Sequence, residues 1–300
     1  MRNSLARILS NREIAQGHYK MILNAPDIAR TVQPGQFVHV RCSSIRHNEP
    51  LLRRPFSIYR VKEKKKVIEI LYKVIGKGTA ILSKRRKDEE LDIIGPLGTP
   101  FKIERGIKEA IIVGGGMGIA SLYLLAEEIS KHNKKTQVKV ILGARPKKLI
   151  IGKEDLIKLQ GINLQIATED GSMGFRGLAT ELLRDSLKNI SRNPGLIYIY
   201  GCGPYPMLKE VAAISKGLGL PCQVSLEERM ACGIGACMGC NIKVKSRYSI
   251  PQSQSPFVYK LACKDGPVFD ADEVRDEESC DGSFRDVWIW RGIQSIDEYK

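Results

Sequence analysis

Three cysteines crowd into the stretch Cys232-Gly-Ile-Gly-Ala-Cys237-Met-Gly-Cys240, and a fourth, Cys263, follows. The spacing C-x4-C-x2-C…C is the plant-type arrangement that holds a [2Fe–2S] cluster with four thiolates. It confines the chain to one tight loop. Gly233, Gly235 and Gly239 lie between the cysteines, and glycine lets such a loop reach positive φ and bring N–H groups toward sulfur. Structural zinc uses two separated cysteine pairs, so three ligands on one loop favour the cluster over zinc. A disulfide framework is disfavoured in a chain of 300 residues with eight cysteines. Buried inert thiol is the expectation for Cys42, Cys202, Cys222 and Cys280.

A one-electron carrier needs something to feed or drain it, and the chain is long enough to supply it. Its 300 residues suggest two or three domains. The opening Met-Arg-Asn-Ser-Leu-Ala-Arg has no apolar run of signal-peptide length. The longest apolar runs are strand-length, which predicts no membrane span. Free thiols and an iron–sulfur loop point to the reducing cytoplasm. The net charge is +15, yet residues 270–300 carry ten acids against four bases. The remaining lysines scatter over turns such as 62–66 and 84–87 without aromatic platforms, so a solvated basic surface is favoured over nucleic-acid binding.

Residues 1–104 read as short strands with Gly/Pro punctuation, among them 36–41, 55–61, 67–74 and 91–94. This predicts a small barrel or sandwich, with a piece of helix near 79–84. The period changes after Lys108. Strands are expected at 109–113, 137–142, 163–167 and 196–200, with helices at 119–132, 179–187 and 207–216. Such alternation predicts a doubly wound parallel sheet. From Leu220 the pattern breaks into the cysteine-rich module.

Gly114-Gly-Gly-Met-Gly118 falls between a strand and a helix, where glycines let the backbone approach a pyrophosphate at a helix N-terminus. The motif lacks the full G-x-G-x-x-G, and its position at the head of the α/β unit is what makes it a nucleotide candidate. In Arg53-Arg-Pro-Phe-Ser-Ile-Tyr59 the guanidinium groups suit a phosphate. Phe56 and Tyr59 suit a flat ring, and Ser57 suits a flavin edge. An ordinary strand with surface arginines accounts for the same residues equally well.

Taken together, Arg54-Pro-Phe-Ser57, Gly76-Lys-Gly-Thr79, the glycine turn and Cys202-Gly-Pro-x-x-Met207 resemble the ferredoxin–NADP reductase superfamily. Leu226-Glu-Glu-Arg-Met-Ala-Cys-Gly-Ile-Gly-Ala-Cys-Met-Gly-Cys240 and Cys263-Lys-Asp-Gly-Pro-Val-Phe269 narrow this to a resemblance with the electron-transfer subunits of two-subunit, NAD-dependent dihydroorotate dehydrogenases, over residues 5–273. The resemblance implies three parts: a flavin β-barrel at 1–105, an NAD-binding α/β domain at 106–218 and a [2Fe–2S] module with an acidic tail at 219–300. It also implies that Arg54, Pro55, Phe56, Ser57, Leu71, Tyr72, Lys73, Gly78 and Thr79 hold FAD. Around the nicotinamide nucleotide it sets Gly114, Gly115, Gly116, Gly118, Thr168, Asp170, Gly171, Cys202, Gly203, Pro204 and Met207. Cys232, Cys237, Cys240 and Cys263 would ligate the cluster. The implied partner is an FMN-bearing, dihydroorotate-oxidising subunit in a tetramer of two of each chain, serving pyrimidine synthesis.

Two stretches depart from that family. Twenty-two residues separate Cys240 from Cys263, with 246–257 as the apparent insertion, and the tail from Asp276 overruns the usual end. No acid–base side chain is assigned to hydride transfer, and Glu227 and Glu228 are expected to order the cluster loop or face a partner. Met230, Ile234 and Met238 are expected on a docking face, and Trp288 and Trp290 as anchors of the tail. Arg145, Lys147 and Lys148 follow the second α/β strand, where a base accepts a 2′-phosphate; NADP therefore stays open beside NAD. A reductase subunit acting on ferredoxin or a sulfur substrate, and a zinc-stabilised binding module, are the rival functions.

Overall fold

The computed structural model of the chain describes residues 1–43, 49–62, 64, 66–132, 135–188, 197–246 and 257–274. Cys280, Trp288, Trp290 and most of the apparent insertion lie outside the described residues.

Alternating side chains close the first part into an antiparallel barrel. Strands β1 (Arg2–Ala15) and β2 (His18–Asn24) form a hairpin, and the short α1 (Pro26–Ala29) leads to β3 (Phe37–Val40). Then come β4 (Arg54–Lys62), β5 (Val67–Lys73), α2 (Lys77–Ser83) and β6 (Glu90–Leu97). The closed order is β1-β2-β5-β4-β3-β6. Ala6, Ile8, Met21, Leu23, Val38, Val40, Phe56, Ile58, Ile68, Ile70, Leu91 and Ile93 fill the interior. They fall at every second position, as a strand with one buried face requires. Fully burying each large aliphatic side chain contributes roughly 1.5–3 kcal/mol.

The second part is a sheet covered on both faces. Its elements are β7 (Glu109–Gly115), α3 (Ile119–His132), β8 (Gln137–Ala144), α4 (Lys153–Leu156), β9 (Ile162–Thr168), β10 (Phe175–Arg176), α5 (Ala179–Leu187), β11 (Ile197–Cys202), α6 (Tyr205–Gly217) and β12 (Cys222–Ser225). Ile111 and Val113 of β7 face α5 and α6, whereas Ala110 and Ile112 face α3. Burial on both sides explains why this strand reads as a continuous apolar run. The order β10-β9-β8-β7-β11-β12, completed by β15 (Val268–Asp270), reverses direction between β7 and β11.

The hairpin β13 (Asn241–Lys245) and β14 (Phe257–Leu261) follows the cysteine loop, and β15 (Val268–Asp270) returns to pair antiparallel with β12. The parallel sheet thus takes its last two strands from the stretch 219–300. Leu226, Met230, Ile242 and Phe269 share a core with α6 and with Phe37 and Leu97 of the barrel.

Barrel and sheet meet at a polar joint. Asp155 of α4 receives Lys20 Nζ at 2.6 Å and the Tyr59 hydroxyl at 2.9 Å, with Arg60 at 3.5 Å. Arg60 lies over the Tyr123 ring of α3, 5.1 Å from its centroid. Glu69, wholly buried, sits between Lys62 at 2.5 Å and Lys20 at 3.9 Å.

Candidate functional site

The reversal of strand order between β7 and β11 opens a crevice at their carboxyl ends, the place where open α/β sheets take ligands. Glycines from both strands build it, in two different roles. A Cβ on Gly118 would collide with the Cys202 carbonyl, and one on Gly115 would sit 2.6 Å from Met207 Sδ and 2.9 Å from Pro204. Gly203, at φ +159, lies equally close to the Gly115 backbone. The turns 114–118 and 202–207 are therefore locked together, and both need glycine for packing. Gly116 is different: at φ +53 a Cβ there would meet nothing within 4 Å. Its backbone faces the open crevice just ahead of α3.

The barrel contributes the opposite wall through β4, against which α3 packs. Ser57 Oγ lies 2.7 Å from Ser121 Oγ of α3. The buried Cys202 thiol reaches Ser121 and Ser225, and the Glu227 carboxylate faces it. Burial, reinforced by Glu227, pushes this thiol up to about 12, so it stays neutral. Glu227 is open to solvent on one side, yet protein crowds it enough that burial raises its carboxyl above the usual range. Ser57 and Ser121 thus tie the barrel to the sheet across the crevice, with Cys202 and its strand neighbour Ser225 beside them. Glu227, expected to order the cluster loop or face a partner, is exposed.

Arg53 and Arg54 have separate fates. Arg53 is committed to Asp92, donating to its carbonyl at 2.8 Å and pairing with its carboxylate at 2.5 Å. Arg54 bonds only main-chain oxygens of Leu52 and Arg53 among the described residues and lies against Gly78 at the start of α2. Thr79 accepts N–H groups from Ile75 and Gly76 through its hydroxyl, which fixes that turn. A Cβ on Gly76 would meet nothing within 4 Å, so the backbone beside Arg54 is open to a ligand, as a flavin pyrophosphate would need. Tyr72 is buried behind this wall, stacked on Tyr19 with its hydroxyl donated to Asn11. Leu71 packs toward α3, and Lys73 is exposed.

Thr168, Asp170 and Gly171 belong to another turn, after β9. Thr168 is wholly buried, and its hydroxyl bonds both the N–H and the carbonyl of Met173. Asp170 accepts from Ser172, whose hydroxyl holds the Lys147 N–H. Arg145 is 79% exposed and 3.9 Å from Glu169.

In the cysteine loop the backbone turns its donors onto sulfur. Ile234, Ala236 and Cys237 N–H point at Cys232 Sγ at 3.5, 3.3 and 3.4 Å, and Gly235 N–H points at Cys263 Sγ at 3.1 Å. Burial works against the Cys232 thiolate, but these donors bring the thiol down to about 6. Cys263 is pushed up to about 12 by burial and by the neighbouring Cys240 sulfur. The hairpin explains why the long gap before Cys263 does no harm. Asn241 pairs with Leu261, and Ala262 N–H bonds the Cys240 carbonyl at 2.8 Å. Cys240 and Cys263 thus meet at the base of the hairpin. N–H groups on two of the four sulfurs, Cys232 and Cys263, suit an iron–sulfur cluster; among the described residues no three of the ligating side chains yet stand in metal-holding geometry. Ile234 and Met238 are exposed beside it, but Met230 is buried in the core and leaves the expected docking face.

Ser121 and Ser225 escape a reading of motifs because 57, 121, 202 and 225 become neighbours only through the topology. His39 escapes for the same reason.

Residues 227–275 match the iron-sulfur cluster binding domain of dihydroorotate dehydrogenase B. The chain is 40% identical, over 269 residues, to the electron transfer subunit of dihydroorotate dehydrogenase B (NAD(+)) from Desulforamulus reducens, covering 90% of this chain and 97% of that protein. The subunit of the same description from Caldanaerobacter subterraneus subsp. tengcongensis is 39% identical over 270 residues, with 90% and 97% covered. Among solved structures, the NADH-dependent reduced ferredoxin-NADP oxidoreductase, studied for flavin-based electron bifurcation, aligns with a TM-score of 0.76 at 28% identity. That alignment covers 91% of this chain and 90% of the other.

Proposed function

The chain belongs to the family of electron-transfer subunits of NAD-dependent dihydroorotate dehydrogenase B, and from that premise we propose its task. It takes electrons from the FMN of a dihydroorotate-oxidising subunit through a [2Fe–2S] cluster and FAD to NAD⁺, in the de novo synthesis of UMP. FAD, when bound, exchanges single electrons with a cluster and a hydride with nicotinamide. Arg54, Pro55 and Ser57, with Lys73, Gly78 and Thr79, form its cradle, and the buried Phe56, Leu71 and Tyr72 support the cradle from behind. Gly116 and its neighbours in 114–118, the turn 202–207 and the loop of Thr168, Asp170 and Gly171 take the nicotinamide nucleotide. Cys232, Cys237, Cys240 and Cys263 hold the cluster.

The Ser57–Ser121 contact, with Cys202 and Ser225 beside it, carries this reading. It brings the barrel and the parallel sheet to one crevice, as a flavin facing nicotinamide requires. Ser57, Ser121 and the neutral Cys202 thiol orient the reacting rings there. Exposed Ile234 and Met238 beside Cys237 suit docking of the partner, in an assembly of two of each chain within a reducing compartment.

The test is purification of the complex with identification of flavins, iron and partner. One FAD, two irons and one FMN subunit per chain are expected, with NADH bleaching the flavin more readily than NADPH. A colourless chain carrying zinc would defeat the proposal. A second reading, electron exchange with ferredoxin, is favoured by the likeness to the bifurcating reductase; co-purification with a different large subunit would select it.

A further inference from the structure

His39 sits in β3, in register with Pro55 of β4 and Ile94 of β6. Val38 and Val40 point into the barrel, so the alternation of the strand turns His39 outward. There it is still wholly buried, because the cysteine loop closes over it. A Cβ on Gly233, at φ +72, would collide with the ring Nδ1. The main chains of Cys232 and Arg53 both approach the ring. One side chain therefore bridges the strand entering the flavin cradle and the loop of the first cysteine.

Neither ring nitrogen has a hydrogen-bond partner among the described residues. An imidazole keeps at least one N–H in either protonation state. A buried donor left unpaired costs roughly 1–3 kcal/mol. Such a group persists where a partner is supplied from outside the chain.

We propose that His39 is a positioning residue for electron exchange between flavin and cluster, donating its ring N–H to sulfur in the Cys232 loop when the cluster is in place. This rests on the reading of the four cysteines as ligands. The bond ties the loop to β3 and β4 and favours the more negative, reduced cluster, which raises its potential. One electron crosses between the two centres, and the imidazole neither gains nor loses a proton.

The test compares His39→Leu, which keeps bulk but no donor, with His39→Gln, which keeps an N–H. Full-length chain loaded with iron and FAD is assayed for iron content and titrated under EPR. The glutamine variant is expected to hold the electron-sharing equilibrium within roughly twofold, while the leucine variant shifts it about tenfold toward the flavin, ~59 mV for one electron. Iron loss in the leucine variant alone also supports the donor role. Wild-type iron and equilibrium in His39→Leu, or equal change in both variants, would overturn it. A wild-type chain without iron overturns the ligand reading and this proposal together, whereas an iron-loaded wild type with indifferent variants overturns the proposal alone.

Discussion

At Gly118 the missing side chain is a packing requirement imposed by a neighbouring strand end. Gly118→Ala must push the Cys202 carbonyl away, and backbone yields poorly. Overpacking of this kind costs roughly 1–3 kcal/mol. Denaturant melts should show that loss, with slowed NADH reduction of the flavin, while Gly116→Ala should suffer mainly from its positive φ. The sequence motif located this turn because glycine between a strand and a helix is a local signal. It did not separate the packing glycines from the open one, since that depends on Cys202, Pro204 and Met207 far along the chain.

Among elements, the β13–β14 hairpin decides how the cysteines meet. Its register, not the length of chain between its strands, sets Cys240 beside Cys263, so shortening 246–257 should leave iron content intact. Cys263→Ser should lose iron yet retain flavin, because the barrel interior is its own cluster and meets the core under the loop through Phe37 and Leu97; metal analysis beside flavin absorbance checks this. Strand β7, helix α3 and strand β11 were legible from apolar runs and glycine turns. Strand β1 was not. It pairs with β6 through its first half and with β2 through its second, bending around the barrel, so no single alternation runs its length. The apolar side chains near the cysteines were likewise legible as a group, but burial of Met230 was not, because it depends on the α6 core.

On the scale of the whole molecule, the joint at Asp155 holds barrel against sheet. Burial opposes its charge, but hydrogen bonds from Lys20 and Tyr59 outweigh that and lower its carboxyl. The stabilisation is present above the ordinary aspartate value of about 3.9 and is lost as pH falls through the depressed one. Asp155→Asn should remove this acid-dependent component. It should also cost on the order of a few kcal/mol at neutral pH, since the partners stay largely buried without their counter-charge. A melt that splits into two transitions would mark the barrel and sheet unfolding apart. No motif announced this joint, because ion pairs between distant elements have no sequence period.

The pairing of β12 with β15 has a consequence for descent. Ser225 and Val268 lie side by side in one sheet, so everything between them leaves and returns through a single doorway. An excursion anchored in this way can lengthen, shrink or be exchanged without shifting the register of the strands that flank it. The wiring of such a protein is thus a replaceable cartridge: lineages could keep the same two-electron reductase and swap the plug through which it meets a one-electron partner.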